Sequence, residues 1–386
     1  MTLEQSRRRF LKHAAMGAAG LYLAPLGSAR PEPSRESSSG TPHKLTIISG
    51  KPRERGRLYG EKFKDGIHDF LNREIYSAFT GKPSMREQML RYAGDCGKAV
   101  HSYSPEIHEE LEGIAEGAGL KLEEAVLITS HEELYHRGVL PSVDHCTAIA
   151  AGPPYTRDGQ TYVGQTWDWM ASVYGLSSML LWKRAEGPSL LAYGYPGLPC
   201  GAGLNSAGIA LCWTSANDKE KIAGPRVGIP AYVLLTHLLY QSTLQDVVAE
   251  ARRASQAGWF TFVMADAEGN LLNVEGSPKE LAVEEHRGRL GRVLYGSKQM
   301  TRTKEGEQPK MHARAHHTYD LVDKNKERLD GAKLRELLGD PKAGICVGKG
   351  TIDMMVFDCT ARKAHVSRGT AWAATWRTFT FESKEG

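Results

Sequence analysis

The spacing of apolar residues along this chain changes character at Cys146. Before it the period is helical: Ile107, Leu111, Ile114 and Ala115 mark one face of a helix predicted over 105–118. Similar patterns predict helices over 85–102 and 122–135, after a strand at 45–49 and a helical region reaching about residue 78. From Cys146 onward, apolar runs of strand length recur in pairs with turn residues between them. Runs at 146–151 and 162–169 flank Arg157-Asp158-Gly159. Runs at 179–184 and 189–195 flank Glu186-Gly187-Pro188, and those at 203–205 and 209–214 flank Ser206-Ala207-Gly208. A long helix is predicted over 230–254. Two further strand pairs occupy 259–293, turning at Glu268-Gly269-Asn270 and Arg287-Gly288. A helix over 318–338 and a hairpin of 351–357 with 364–368 complete the pattern. Hairpins with inserted helices predict an α+β layered domain, its antiparallel sheets covered by helices.

Composition adds a core and an address. With 41% hydrophobic and 24% charged residues, the chain reads as a soluble globular protein. Its start, Arg7-Arg8-Arg9-Phe10-Leu11-Lys12, is followed by an apolar stretch from Ala14 to Pro25 and the small residues Gly27-Ser28-Ala29. This order predicts a twin-arginine signal over 1–29, hence a periplasmic or secreted protein. The apolar stretch is too short to span a bilayer, and no cysteine lies within it, so no membrane anchor is expected. A Pro/Ser-rich linker is predicted over 30–43. Loss of residues 1–29 lowers the formal charge from +4 to about +1, which gives no electrostatic reason to expect nucleic acid as a partner. The cysteines, Cys96, Cys146, Cys200, Cys212, Cys346 and Cys359, form no C-x-x-C pair, and no disulfide is predicted.

Cys146 carries the chemistry. A cysteine that opens a strand suggests a peptide bond cut at His145-Cys146, whose new α-amino group would serve the thiol as general base. The plainer reading is a buried small hydrophobe. Hairpin geometry adds a partner. With the turn centred near residue 157, Asp168 falls opposite Cys146, where a carboxylate would hold the ammonium or orient a substrate amide; a strand aspartate outside any site is the alternative. Gln165, Trp167 and Trp169 are candidates to line the pocket, although tryptophans on a sheet also suit a core. Competing chemistries fit less well. The run His131-Glu132-Glu133-Leu134-Tyr135-His136 has one residue too many for H-E-x-x-H. His312, His316 and His317 include an i,i+4 pair but no adjacent glutamate. Neither G-x-S-x-G nor a phosphate-binding loop is present.

Taken in order along the chain, several motifs resemble the acyl-coenzyme A:isopenicillin N acyltransferase (penicillin acyltransferase) family of N-terminal nucleophile hydrolases. They are Ser49-Gly50-Lys51-Pro52-Arg53-Glu54-Arg55-Gly56 with Gly60, Gly113-Ile114-Ala115-Glu116-Gly117-Ala118, Cys146-Thr147, Gly164-Gln165-Thr166-Trp167-Asp168, Asn205-Ser206-Ala207-Gly208, Gly228-Ile229-Pro230 and Glu275-Gly276-Ser277-Pro278. The resemblance implies a four-layer αββα sandwich of antiparallel sheets that cuts itself before Cys146. The mainly helical segment 44–145 and the nucleophile-bearing segment 146–386 would remain together as one catalytic domain. It further implies Cys146 as nucleophile and amine, Asp168 as an active-site carboxylate, Thr147 beside the substrate, and an acyl-enzyme formed without metal or organic cofactor. Three positions depart from the family: His145 stands for glycine, Ser297 for asparagine, and Gly348-Lys349 for arginine, so that Lys349 supplies charge without a bidentate fork. These changes point to a substrate other than penicillin, or to a weakened catalyst. The reading is an exported, autoproteolytic cysteine hydrolase or acyltransferase that cleaves an amide bond of a small N-acylated molecule. The alternative is an uncleaved relative that binds acylated ligands.

Overall fold

The computed structural model describes residues 42–136, 146–169, 173–214, 226–293, 313–346, 350–369 and 375–385. The early helices are α1 (Pro52–Lys62), α2 (Lys64–Phe70), α3 (Pro83–Tyr103), α4 (Pro105–Ala118), α5 (Leu122–Thr129) and α6 (His131–His136). Proline in the first turn starts α1, α3 and α4, where its missing N–H costs no helical bond. Glycines let α1 and α4 touch backbone to backbone. A Cβ on Gly56 would lie 2.0 Å from the Glu110 carbonyl oxygen, and one on Gly113 2.1 Å from that of Arg53.

Strand β1 (Leu45–Gly50) joins β4 (Ser178–Arg184), β5 (Leu190–Tyr195), β6 (Leu198–Asn205), β7 (Ala210–Thr214), β8 (Phe260–Ala265), β9 (Asn270–Gly276) and β10 (Leu281–Arg287) in an eight-stranded sheet, in that spatial order. A six-stranded sheet has the order β11 (Arg289–Val293), β2 (Thr147–Ala151), β3 (Tyr162–Asp168), β12 (Thr351–Asp358), β13 (Lys363–Arg368) and β14 (Thr375–Phe379). The sheets face each other through β2 and β3 on one side and β7 and β8 on the other. Helix α7 (Ala231–Leu239) covers β6 and β7. Helices α9 (Ala313–Asn325) and α10 (Gly331–Gly339) cover β2, β3 and β12. This is the four-layer αββα arrangement that the resemblance implied.

Several expectations change in detail. The helix predicted over 230–254 is two, α7 and α8 (Leu244–Arg253), and Thr243 caps the second by accepting from the Asp246 N–H. The helix predicted over 318–338 likewise divides, because Asp330 caps a fresh start at α10. The strands on either side of Arg287-Gly288 do not pair as a hairpin: β10 pairs with β9 and β11 with β2, so the turn carries the chain from one sheet to the other. Strand β14 was not foreseen. The pairing of β1 with β4 is parallel, against the all-antiparallel expectation. His43, placed by sequence in the linker, is buried, with its Nε2 2.9 Å from Ser177 Oγ, so ordered chain begins before residue 44.

Candidate active site

The hairpin of β2 and β3 has two faces, and the buried clusters tell them apart. Ala148, Ala150, Val163 and Trp167 join the core between the sheets. Ile149, Ala151 and Tyr162 join a separate cluster with Leu334 and Leu338 of α10. Alternation therefore turns Cys146, two residues before Ala148, toward the interior of the sandwich. Gln165 stands directly across from Ala148 and shares that face. Thr147 pairs with Thr166, which leaves Trp167, not Asp168, across from Cys146. The expected register is thus one residue off. The connection from Gly152 to Thr161 is a folded loop, in which the Asp158 carboxylate accepts from the Gln160 N–H and from Tyr162 Oη, and its centre precedes residue 157. Thr147 and Asp168 fall on the opposite face. There the Asp168 Oδ1 accepts a hydrogen bond from Thr351 Oγ1 at 2.6 Å.

Asp168 still adjoins Cys146 through its backbone. Its N–H donates to Cys146 Sγ at 3.5 Å, and the thiol lies 3.7 Å from its carbonyl oxygen. Although Cys146 is partly exposed as a residue, burial of the sulfur pushes the thiol up to about 12, and the Asp168 carboxylate pushes the same way. The Asp168 N–H and the Gln165 side chain oppose that shift by favouring the thiolate. In this environment, then, the thiol is protonated at neutral pH.

Trp167, across from Cys146, belongs to an aromatic wall. Trp167 lies 5.2 Å from Tyr193, 6.0 Å from Tyr195 and 6.4 Å from Trp213, centroid to centroid. Trp169 meets Tyr195 at 4.8 Å and His131 at 5.2 Å. Sequence reasoning missed His131, Glu132, Tyr195, Trp213 and Tyr232 as neighbours. His131 and Glu132 were weighed only as a defective metal motif. The structure buries His131 among Phe70, Tyr135 and Trp169, with neither ring nitrogen hydrogen-bonded, and burial lowers it to about 4. Glu132 adds negative charge near both Cys146 and Tyr232. Among the described residues no group of three or more His, Cys, Asp or Glu side chains is arranged to hold a metal ion. His317 instead meets the Ala343 carbonyl. All six cysteines are free thiols. His145, Ser297, Lys349 and His312 lie outside the described residues.

The family model for acyl-coenzyme A:6-aminopenicillanic acid acyl-transferase matches residues 155–371. Over 342 residues the chain is 25% identical to the 40 kDa form of acyl-coenzyme A:6-aminopenicillanic-acid-acyltransferase of Emericella nidulans, an alignment covering 83% of this chain and 91% of that protein. Two solved structures are similar in fold at 13% identity. A variant of the conjugated bile acid hydrolase of Clostridium perfringens covers 62% of this chain and 95% of its own, with a TM-score of 0.44. Penicillin V acylase of Agrobacterium tumefaciens covers 58% of this chain and 83% of its own, with a TM-score of 0.40.

Proposed function

The chain belongs to the acyl-coenzyme A:6-aminopenicillanic acid acyl-transferase family of enzymes, and from that premise we propose an exported cysteine amidohydrolase that cuts itself before Cys146. The observation that carries the reading is the setting of the thiol. Cys146 stands just before β2 on the face turned between the sheets, with the Asp168 N–H 3.5 Å from its sulfur, and cleavage of His145-Cys146 would place an α-amine on the same residue to act as its base. In maturation Cys146 Sγ bonds to the His145 carbonyl carbon, the His145–Cys146 C–N bond breaks, and water hydrolyses the thioester. The products are a His145 carboxylate, a free thiol and an α-amine. In turnover the thiol gives its proton to that amine as Sγ attacks the substrate amide carbon. The proton then passes to the departing amine, and water resolves the acyl-enzyme. Asp168, whose backbone adjoins the sulfur and whose carboxylate acts on the thiol, is the candidate to take up the new ammonium. Trp167, Trp169 and Gln165 face the acyl group. Hydrolysis is favoured over acyl transfer because export through the twin-arginine signal would separate the enzyme from coenzyme A thioesters.

Two features support continued association of the fragments. Strand β1 from the first segment is built into the eight-stranded sheet beside β4. A buried ion-pair cluster also links Arg55, Glu106 and Glu110 to Trp182, Arg184 and Tyr240.

Denaturing mass spectrometry of protein from the cell envelope, beside a Cys146→Ala variant, tests the reading. The expected result is one fragment beginning near Arg30 and another beginning at Cys146, with a single chain in the variant. Hydrolysis of penicillin V and simpler N-acyl amides would then be screened. An intact chain in both samples would overturn self-cleavage and leave a binder of acylated ligands as the better reading.

A further inference from the structure

We propose that Gln165 is a catalytic residue, whose Nε2–H donates to the oxyanion formed when Cys146 attacks a carbonyl; this rests on the proposed nucleophilic role of Cys146. The orientation of the amide is fixed by chemistry. Its oxygen faces the backbone N–H of Trp213 at 3.0 Å, and because that N–H can only donate, the atom facing it must be Oε1. The NH2 end is therefore aimed elsewhere. It is fully buried and has no oxygen or nitrogen acceptor in the structure. The Cys146 sulfur that the amide does act on is a weak acceptor and leaves at least one of the two N–H donors unused, which is costly and makes the position unusual for a residue with only a packing role.

Its surroundings say where the NH2 points. Gln165 lies across from Ala148, on the face that carries Cys146, and its amide favours the Cys146 thiolate. The Asp168 N–H approaches the same sulfur at 3.5 Å. Two donors from one strand, one side-chain and one main-chain, thus act on the sulfur, beside which the carbonyl oxygen of an attacked substrate would gather charge. Strand β3 holds both, and the neighbouring sheet locks the amide through Trp213, so the donors require little reorganisation during reaction. As the Sγ–C bond forms, the C=O π pair moves to oxygen and is met by these N–H groups. When the intermediate collapses, the C=O re-forms and the leaving group departs.

Gln165→Leu and Gln165→Glu test the assignment, the second retaining an acceptor for the Trp213 N–H. Both are compared with the unaltered protein, using matured molecules identified by the mass of the Cys146 fragment. p-Nitrophenyl acetate is the acyl probe, and the burst of p-nitrophenolate reports acylation of Cys146. Acylation should slow by about 10²–10³-fold in both variants. Alkylation by iodoacetamide builds no oxyanion; because the amide also favours the thiolate it should slow as well, but in Gln165→Leu by at least about tenfold less than acylation. In isotope-edited infrared spectra the acetyl-enzyme carbonyl band should move to higher wavenumber as its hydrogen bond is lost. Equal acylation rates would overturn the assignment alone, and parallel loss of acylation and alkylation would reassign Gln165 to holding the thiol. An unaltered protein that never acetylates Cys146 would remove the enzymatic reading and this inference with it.

Discussion

Two buried polar regions of this molecule treat their hydrogen bonds in opposite ways. Around Arg55, almost every group is paired. Its guanidinium donates to the Gly50 carbonyl and to Glu106 and Glu110, leaving only Nε unused. Glu110 also accepts from Trp182 Nε1 at 3.1 Å and from Tyr240 Oη at 2.8 Å. Arg184 binds Glu106 and lies over the Tyr240 ring at 3.8 Å. In the interior near Cys146, Gln165 Nε2, Trp167 Nε1, Trp213 Nε1, Thr214 Oγ1 and both nitrogens of His131 lack such partners. Each unmet group costs about 1–3 kcal/mol when no water or ligand reaches it. The first region spends its polarity on joining the segments before and after Cys146. The second leaves donors and acceptors unmet in the interior that also holds Cys146, where an external molecule would find them.

The sharpest break would come from Glu110. Changing Glu110→Gln removes the more deeply buried of the two carboxylates that face Arg55 and should cost about 3 kcal/mol in urea unfolding. A Cys146→Ala background makes that measurement independent of the proposed self-cleavage. The double replacement Arg55→Met with Glu110→Met should recover most of the loss, because no charge is then stranded. In the otherwise unaltered protein, Glu110→Gln should leave iodoacetamide labelling of folded Cys146 unchanged. If the single change were neutral, the contrast between paired and unpaired regions would lose its energetic basis.

His131 gives the next largest effect, and it depends on pH. Folding lowers its pKa from 6.5 to about 4, because burial disfavours the imidazolium. Between those values the unfolded chain binds the proton and the folded chain does not. Stability is therefore complete above pH 6.5 and falls as pH drops toward 4, by about 3 kcal/mol in total. His131→Phe should remove that share of the pH dependence, leaving a flatter profile than the parent in paired unfolding curves from pH 7 to 4. Identical slopes would mean that water or another group already pairs the imidazole.

Much of this contrast was hidden in the sequence. The paired strands, the helical first segment and the layered architecture were legible because hydrophobic period and turn residues act locally. The register of β2 on β3 was not, since it depends on how the loop from Gly152 to Thr161 folds. One residue of error moved Asp168 to the wrong face and hid the alignment of Gln165 with Cys146. The sheet assignment of β10 and β11 failed for a related reason: Arg287-Gly288 suits a hairpin and a corner between sheets equally well. His131 carried no signal beyond a near-miss of a metal motif in a predicted helix, and its burial against Trp169 is a tertiary fact.

The smallest effect is the cleanest test of whether the polar groups near Cys146 are held in reserve. Thr214 ends β7 beside Trp213, is fully buried, and leaves Oγ1 unpaired. Thr214→Val exchanges that hydroxyl for a methyl of similar size while keeping the β-branched shape suited to a strand. In most cores the change would break a hydrogen bond and destabilise the protein. Here no bond is lost and a desolvated hydroxyl is removed, so thermal unfolding should show no loss and up to about 1 kcal/mol of gain. Acylation by p-nitrophenyl acetate should stay within about threefold of the parent, since the probe's small acetyl group leaves most of the interior unfilled. A loss of stability above about 1 kcal/mol would show that the hydroxyl is bonded in solution, and the set of unpaired groups would shrink toward Gln165 and its immediate neighbours.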